Sequence, residues 1–193
     1  MDYVLLAILW IAFYSVQLIG TRSKIKRNLK VKSRNAYNWF LWGRLLFSFL
    51  LLLSVIWVSI TIAGEDILPK STLSNYFAYL FAALGTILGT KSIKTLSLKK
   101  MIGIPRVEQS QELIQHDLYA RIRHPFYTGC LMLFIGYFLF SGSISSGVHL
   151  IAFLIALPML ILLEEKNLNE QFGSIYIEYQ STVFPIIPKF GRS

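Results

Sequence analysis

"HPFYTGCLMLFIGYFLFSGSISSGVHLIAFLIALPMLILLEE", residues 124–165, reads as two apolar runs folded about one small polar connection. The runs occupy 125–141 and 148–163 and carry no Asp, Glu, Lys or Arg, while SGSISSG (141–147) between them has the Ser/Gly composition of a tight turn. A membrane-crossing helix needs roughly 17 to 25 predominantly apolar residues, so both runs lie at the lower limit. The stretch therefore predicts a helical hairpin that crosses and returns. The alternative is a re-entrant pair that never crosses.

Outward from the hairpin the pattern repeats. Apolar segments at 3–20, 39–63 and 73–90 are each long enough to span. The 193 residues are 54% hydrophobic and 15% charged, with mean hydropathy +0.55, against about 25% charged in soluble domains. The fold class expected is an all-α integral membrane protein with about five transmembrane helices in a single membrane domain, 1–193. Its parts are three N-terminal helices (1–90), a cytosolic loop (91–124), the hairpin (125–163) and a C-terminal cap of short cytosolic helices (164–193).

The net charge of +9 is not spread as on a nucleic-acid-binding surface. Seven basic residues fall in TRSKIKRNLKVKSRN, seven in 91–124 and three after Glu164, whereas 64–72 carries one Lys against Glu65 and Asp66 and SGSISSG carries none. Basic and non-basic connections alternate as five spans require. The positive-inside rule then sets the N-terminus outside and the C-terminus in the cytoplasm. Trp39 and Trp42 follow the first basic block at aromatic-belt depth, and Arg44 is placed to snorkel back to the interface. The basic block at 23–34 reads as a topology-setting loop near anionic headgroups rather than an amphipathic strip. The N-terminal run lacks a basic leader and a cleavage site, and reads as a retained anchor.

Cys130 is the only cysteine, which excludes a disulfide within the chain, and His116, His124 and His149 show no metal-ligand spacing. No metal and no nucleic acid are expected as partners.

Chemistry concentrates where the hairpin leaves the membrane. Pro125 fits the first turn of a helix, where its missing N–H costs nothing, and pushes His124 towards the cap position. The unpaired first-turn N–H groups, the positive end of the helix dipole, Arg121 and Arg123 together suit an anionic group, flanked by Tyr119 and Tyr127. The plainer reading is that the arginines hold the helix end on the cytoplasmic side. At the other end Glu164 and Glu165 close the last apolar run, where carboxylates oppose the dipole unless ion-paired with Arg121 or Arg123 or facing a cationic ligand. Leu168 and Phe172 share a helix face, Gly173 ends that helix, and Tyr176 and Tyr179 follow on a second short one. Carboxylates beside tyrosines attract an onium cation. A ligand with both charges and an extra positive centre fits the two halves, and S-adenosyl-L-methionine is such a molecule.

At these residues the chain resembles the integral membrane methyltransferases related to isoprenylcysteine carboxyl methyltransferase and phosphatidylethanolamine methyltransferase. One signature is Leu113, Tyr119, Arg123, His124, Pro125, Tyr127 and Gly129; the other is Glu164, Glu165, Leu168, Phe172, Gly173, Tyr176 and Tyr179, ending in the proline-bearing 183–188. Together they cover about the last 80 residues. The resemblance implies a cytosol-facing S-adenosyl-L-methionine pocket with Leu113, Tyr119, Arg123, His124, Pro125, Tyr127, Glu164, Glu165 and Tyr176 around the cofactor. It also implies a lipophilic or lipidated acceptor entering from membrane lipid. Arg123 and Glu165 are the residues expected to orient cofactor and acceptor for the reaction. Gln111 and Asp117 stand where the family often has His and Gly, and 183–188 lacks a frequent Arg. The alternatives are an NADPH-dependent sterol-type reductase, which shares the Arg-His-Pro element, and a non-enzymatic small membrane subunit.

Overall fold

The computed structural model describes residues 2–21, 34–62, 65–96 and 113–188. The basic block at 22–33 and Gln111 lie outside the described residues. The regular elements are helices: α1 (Asp2–Thr21), α2 (Arg34–Thr61), α3 (Thr72–Leu96), a 3-10 turn (Asp117–Ala120), α4 (Pro125–Ser141), α5 (Ile144–Phe172) and α6 (Ser174–Thr182).

The hairpin is the α4–α5 pair, and its turn is built residue by residue. Gly142 caps α4 at φ 65°, in the left-handed region, and a Cβ there would also stand 3.1 Å from the Leu68 carbonyl oxygen. Ser143 caps α5 by accepting from the Ser146 N–H at 3.3 Å. The connection between α2 and α3 is stitched onto this turn. Ile67 and Leu68 N–H donate to the Gly142 carbonyl at 2.7 and 3.0 Å, and Ile144 N–H donates to that of Glu65 at 3.0 Å.

Two expectations change here. Four helices, α1, α2, α3 and α5, are long and apolar enough to cross a membrane, whereas α4 has 17 residues and reaches only about 26 Å. The expected fifth span is thus short. The last run, expected at 148–163, is a helix of 29 residues, about 44 Å long. It starts earlier because Ser143 supplies a cap inside SGSISSG. It ends later because the Glu-, Lys- and Gln-containing segment after Leu163 favours helix until Gly173. Glu164 and Glu165 therefore sit two turns inside α5, not at its C-terminus. The dipole opposition expected for them falls away, since it acts only on the final turn.

The helices form an open arc in the spatial order α3, α4, α5, α1, α2. Lipid tails are as apolar as Leu, so packing must come from close backbone approach and interhelical hydrogen bonds. At α3–α4, a Cβ on Gly85 would lie 2.7 Å from the Gly129 carbonyl oxygen, and one on Gly136 would lie 2.9 Å from that of Ala78. Between α1, α5 and α2, Trp10 Nε1 donates to His149 Nδ1 at 2.6 Å and His149 Nε2 meets Ser59 Oγ at 2.9 Å. Gln17 donates to Ser48 Oγ and accepts from Arg44. Around these bonds lie Leu6, Trp10, Val55, Phe153, Leu157 and Leu160.

On α2, Trp39 and Trp42 are exposed near one end and Trp57 near the other, about 27 Å from Trp39. That spacing matches two aromatic belts flanking a hydrocarbon layer.

Candidate active site

The site forms where α4 begins and α5 emerges, as the facing of the two signatures requires. His124 is the N-cap residue of α4 and Pro125 its first residue. The backbone of Arg123 and His124 is held from outside by the chain after α6: their N–H groups donate to the carbonyls of Phe184 and Pro185, each at 2.9 Å. Thr128 Oγ1 donates to Ile186 O at 2.9 Å. The C-terminal segment thus works as a strap across the Arg-His-Pro loop.

Glu165 is the hub. Its Oε1 receives Arg123 Nη2 and His124 Nε2, each at 3.1 Å, and its Oε2 receives Gln180 Nε2 at 3.0 Å. The Arg123 and Glu165 side chains are only 10% and 13% exposed. Removing one partner of such a pair leaves an uncompensated buried charge. Glu164 is more open at 40%. It stands 3.6 Å from His124 Nδ1, against the Tyr127 hydroxyl, and within electrostatic reach of Tyr119 and Tyr176. His124 also stacks on Tyr127, with ring centroids 5.7 Å apart.

Burial alone would push the His124 pKa down. Hydrogen bonding and charge from Glu164 and Glu165 outweigh it and hold the imidazole above its ordinary value. Burial raises the tyrosines: Tyr179 is pushed up to about 12 against the opposing Arg123 guanidinium, and Tyr119 and Tyr176 also move up. They are neutral O–H donors at physiological pH. Tyr179 spends its donor on the Tyr119 carbonyl. The buried Tyr176 hydroxyl and Arg123 Nε find no hydrogen-bond partner among the described residues. The Tyr119 hydroxyl lies beside Ser92, whose own hydroxyl is committed to Leu88 O, and it too lacks hydrogen-bond geometry.

Seven of the nine residues expected around a cofactor, Tyr119, Arg123, His124, Tyr127, Glu164, Glu165 and Tyr176, come together here. Pro125 lies buried beneath them as the helix opener. Leu113 packs instead with Leu168 and Phe172 on the Tyr176–Tyr179–Val183 cluster and supports the site from below. Arg121 is exposed and makes no ion pair among the described residues. Arg123 departs from the anion-binding expectation, because its guanidinium is engaged by Glu165. Asp117 adopts φ 57°, in the left-handed region that Gly favours and Asp tolerates.

Reasoning from sequence missed Gln180, Asn169 and the strap. Asn169 lies at i+4 from Glu165 on α5 and donates to Gln180 Oε1 at 3.5 Å. That spacing was a usable signal once α5 was known to continue. Together with Leu162, Glu165, Lys166 and Glu170, the two amides line a cleft of about 530 Å³.

An apolar helical bundle whose Arg-His-Pro loop is ion-paired to a Glu-Glu pair at the membrane boundary is a membrane protein with a preassembled polar site. The phospholipid methyltransferase family model matches residues 73–175, just over half the chain, and the protein belongs to that family of membrane methyltransferases. The match runs from α3 through the first signature and the Glu164–Gly173 part of the second to the start of α6, and ends before Tyr176 and Tyr179. No curated protein and no solved structure matched the chain.

Proposed function

We propose that this chain transfers a methyl group from S-adenosyl-L-methionine to a lipophilic acceptor held in the membrane, in the manner of isoprenylcysteine carboxyl methyltransferases, with the site facing the cytosol. The observation that carries the reading is the closure of Arg123 and His124 onto Glu165 across the hairpin, which leaves Glu164 open among three tyrosines. A carboxylate beside Tyr119, Tyr127 and Tyr176 suits a sulfonium or ammonium centre through charge and cation–π attraction. Tyr176 OH and Arg123 Nε are buried groups in need of partners, as a site that receives a polar ligand requires.

The cofactor supplies a methyl group on a positively charged sulfur, open to in-line displacement. The protein's share is positioning, with effective molarities that reach about 10⁵–10⁸ M in well-oriented systems. Arg123 and Glu165 set the loop geometry, and Glu164 with the tyrosines holds the cation. For a thiolate or carboxylate acceptor little further help is needed. For an amine or hydroxyl, Glu164, the more open carboxylate, is placed to take the proton.

The test is transfer of radiolabelled methyl from S-adenosyl-L-methionine into a panel of lipid-soluble acceptors, read with S-adenosylhomocysteine binding. Arg123→Ala and Glu165→Gln are expected to abolish turnover while the protein still inserts. Glu178→Cys on exposed α6 should label from the cytosolic side. Wild-type turnover in either site variant would sink the assignment.

A further inference from the structure

The cleft on α5 has a property that neither signature explains. Exposed Ile151, Ile155, Met159 and Leu162 follow one another at helical spacing, and Lys166 and Asn169 continue the same face. The apolar part is about 17 Å long and ends at the cleft. Exposed apolar side chains are ordinary in lipid, so the stripe alone carries nothing. The polar end is different.

Glu165 dictates the direction of a short amide relay. Its carboxylate only accepts, so Gln180 must present Nε2 to it, at 3.0 Å. That turns Gln180 Oε1 towards Asn169, which must answer with Nδ2, at 3.5 Å. The Asn169 carbonyl oxygen is left at the far end, out of solvent and without a donor among the described residues. Flipping either amide would set oxygen against oxygen. A buried acceptor without a donor is destabilising and calls for one. Lys166, exposed at the rim, makes no ion pair among the described residues and is available to a neighbouring anionic group.

We propose that Asn169, oriented through Gln180 by Glu165, receives the hydrogen-bond-donating head of a membrane amphiphile whose apolar part lies along the exposed face of α5. This rests on the methyltransferase reading in placing the amphiphile as acceptor, and it makes Asn169 a specificity-determining residue.

The experiment titrates purified full-length chain in detergent with phosphatidylethanolamine, phosphatidylglycerol and phosphatidylcholine, following ligand-induced thermal stabilisation. All three carry the phosphodiester; they offer ammonium N–H, hydroxyl O–H and no donor, respectively. One of the two donor lipids is expected to bind up to about tenfold tighter than phosphatidylcholine, the scale of one added hydrogen bond. Which donor lipid wins tells ammonium from hydroxyl. Asn169→Ala should bring the lipids to within about twofold of one another. Equal affinities in the wild type, or a preference that survives in Asn169→Ala, overturns the proposal. So does a loss of S-adenosylhomocysteine affinity in Asn169→Ala, which would assign the oxygen to the cofactor. If wild-type protein fails to bind S-adenosylhomocysteine, the methyltransferase reading falls, while the comparison of the lipids still decides the role of Asn169.

Discussion

At the scale of single residues, adjacent carboxylates have opposite circumstances. Glu165 receives three donors and is largely enclosed, while Glu164 keeps an open face. His124 touches both, and its raised pKa has a consequence for stability. A group whose folded pKa lies above its unfolded value, about 6.5 for His, contributes stability that is fully present below that value. The contribution is lost as pH rises through the folded pKa. The thermal midpoint of the wild type is therefore expected to fall as pH is raised from about 6 to about 9, and the fall should flatten in His124→Asn. Parallel curves for the two proteins would show that the imidazolium is not held by the carboxylates.

At the scale of elements, α3 and α4 touch through backbone. A Cβ on Gly129 would meet Gly85 O and Gly89 N, both at 2.9 Å, and neither atom can move without shifting α3. Gly129→Val is expected to destabilise by about 1–3 kcal/mol, seen as a lower thermal midpoint in detergent, whereas Gly43→Val, in open space, should have little effect through packing. How much of each element was legible follows from what hydropathy encodes. The three N-terminal spans, the Pro125 start and the Gly173 stop are local signals; α1 fits its expected span within one residue, whereas α2 starts five residues before Trp39 and α3 runs six residues past Thr90. The full length of α5 was hidden because its last turns are polar and merely helix-compatible. The facing of Arg123 and Glu165 could be inferred because a hairpin brings its two ends together. Gln180 and the strap could not, because pairing of residues 122–124 with 184–186 depends on where a non-helical segment lies.

At the scale of the whole molecule, the spatial order of the helices is not their sequence order. Helix adjacency leaves no trace in an apolar run, so the arc α3, α4, α5, α1, α2 could not be read from composition. Two sequence neighbours, α2 and α3, lie at its opposite ends, and their connection passes over the α4–α5 turn, held there by the Gly142 carbonyl. The family match over 73–175 leaves α1 and α2 outside it, although α1 packs on α5 directly below the site.

This arrangement bears on how the protein is made. When α1 and α2 have emerged from the ribosome, they have each other but not the helix that joins them to the rest; α5 appears last and carries His149 to both Trp10 and Ser59. Assembly is therefore expected to end with α5 docking against the α1–α2 and α3–α4 pairs. A chain severed between Ile62 and Glu65 and co-expressed as two pieces should reconstitute, since that cut leaves the Glu65 and Ile67 clamp intact on the second piece. Co-purification of the halves is the expected outcome, and His149→Leu should abolish it. Halves that never associate would mean that the covalent link, rather than α5, brings the two pairs together.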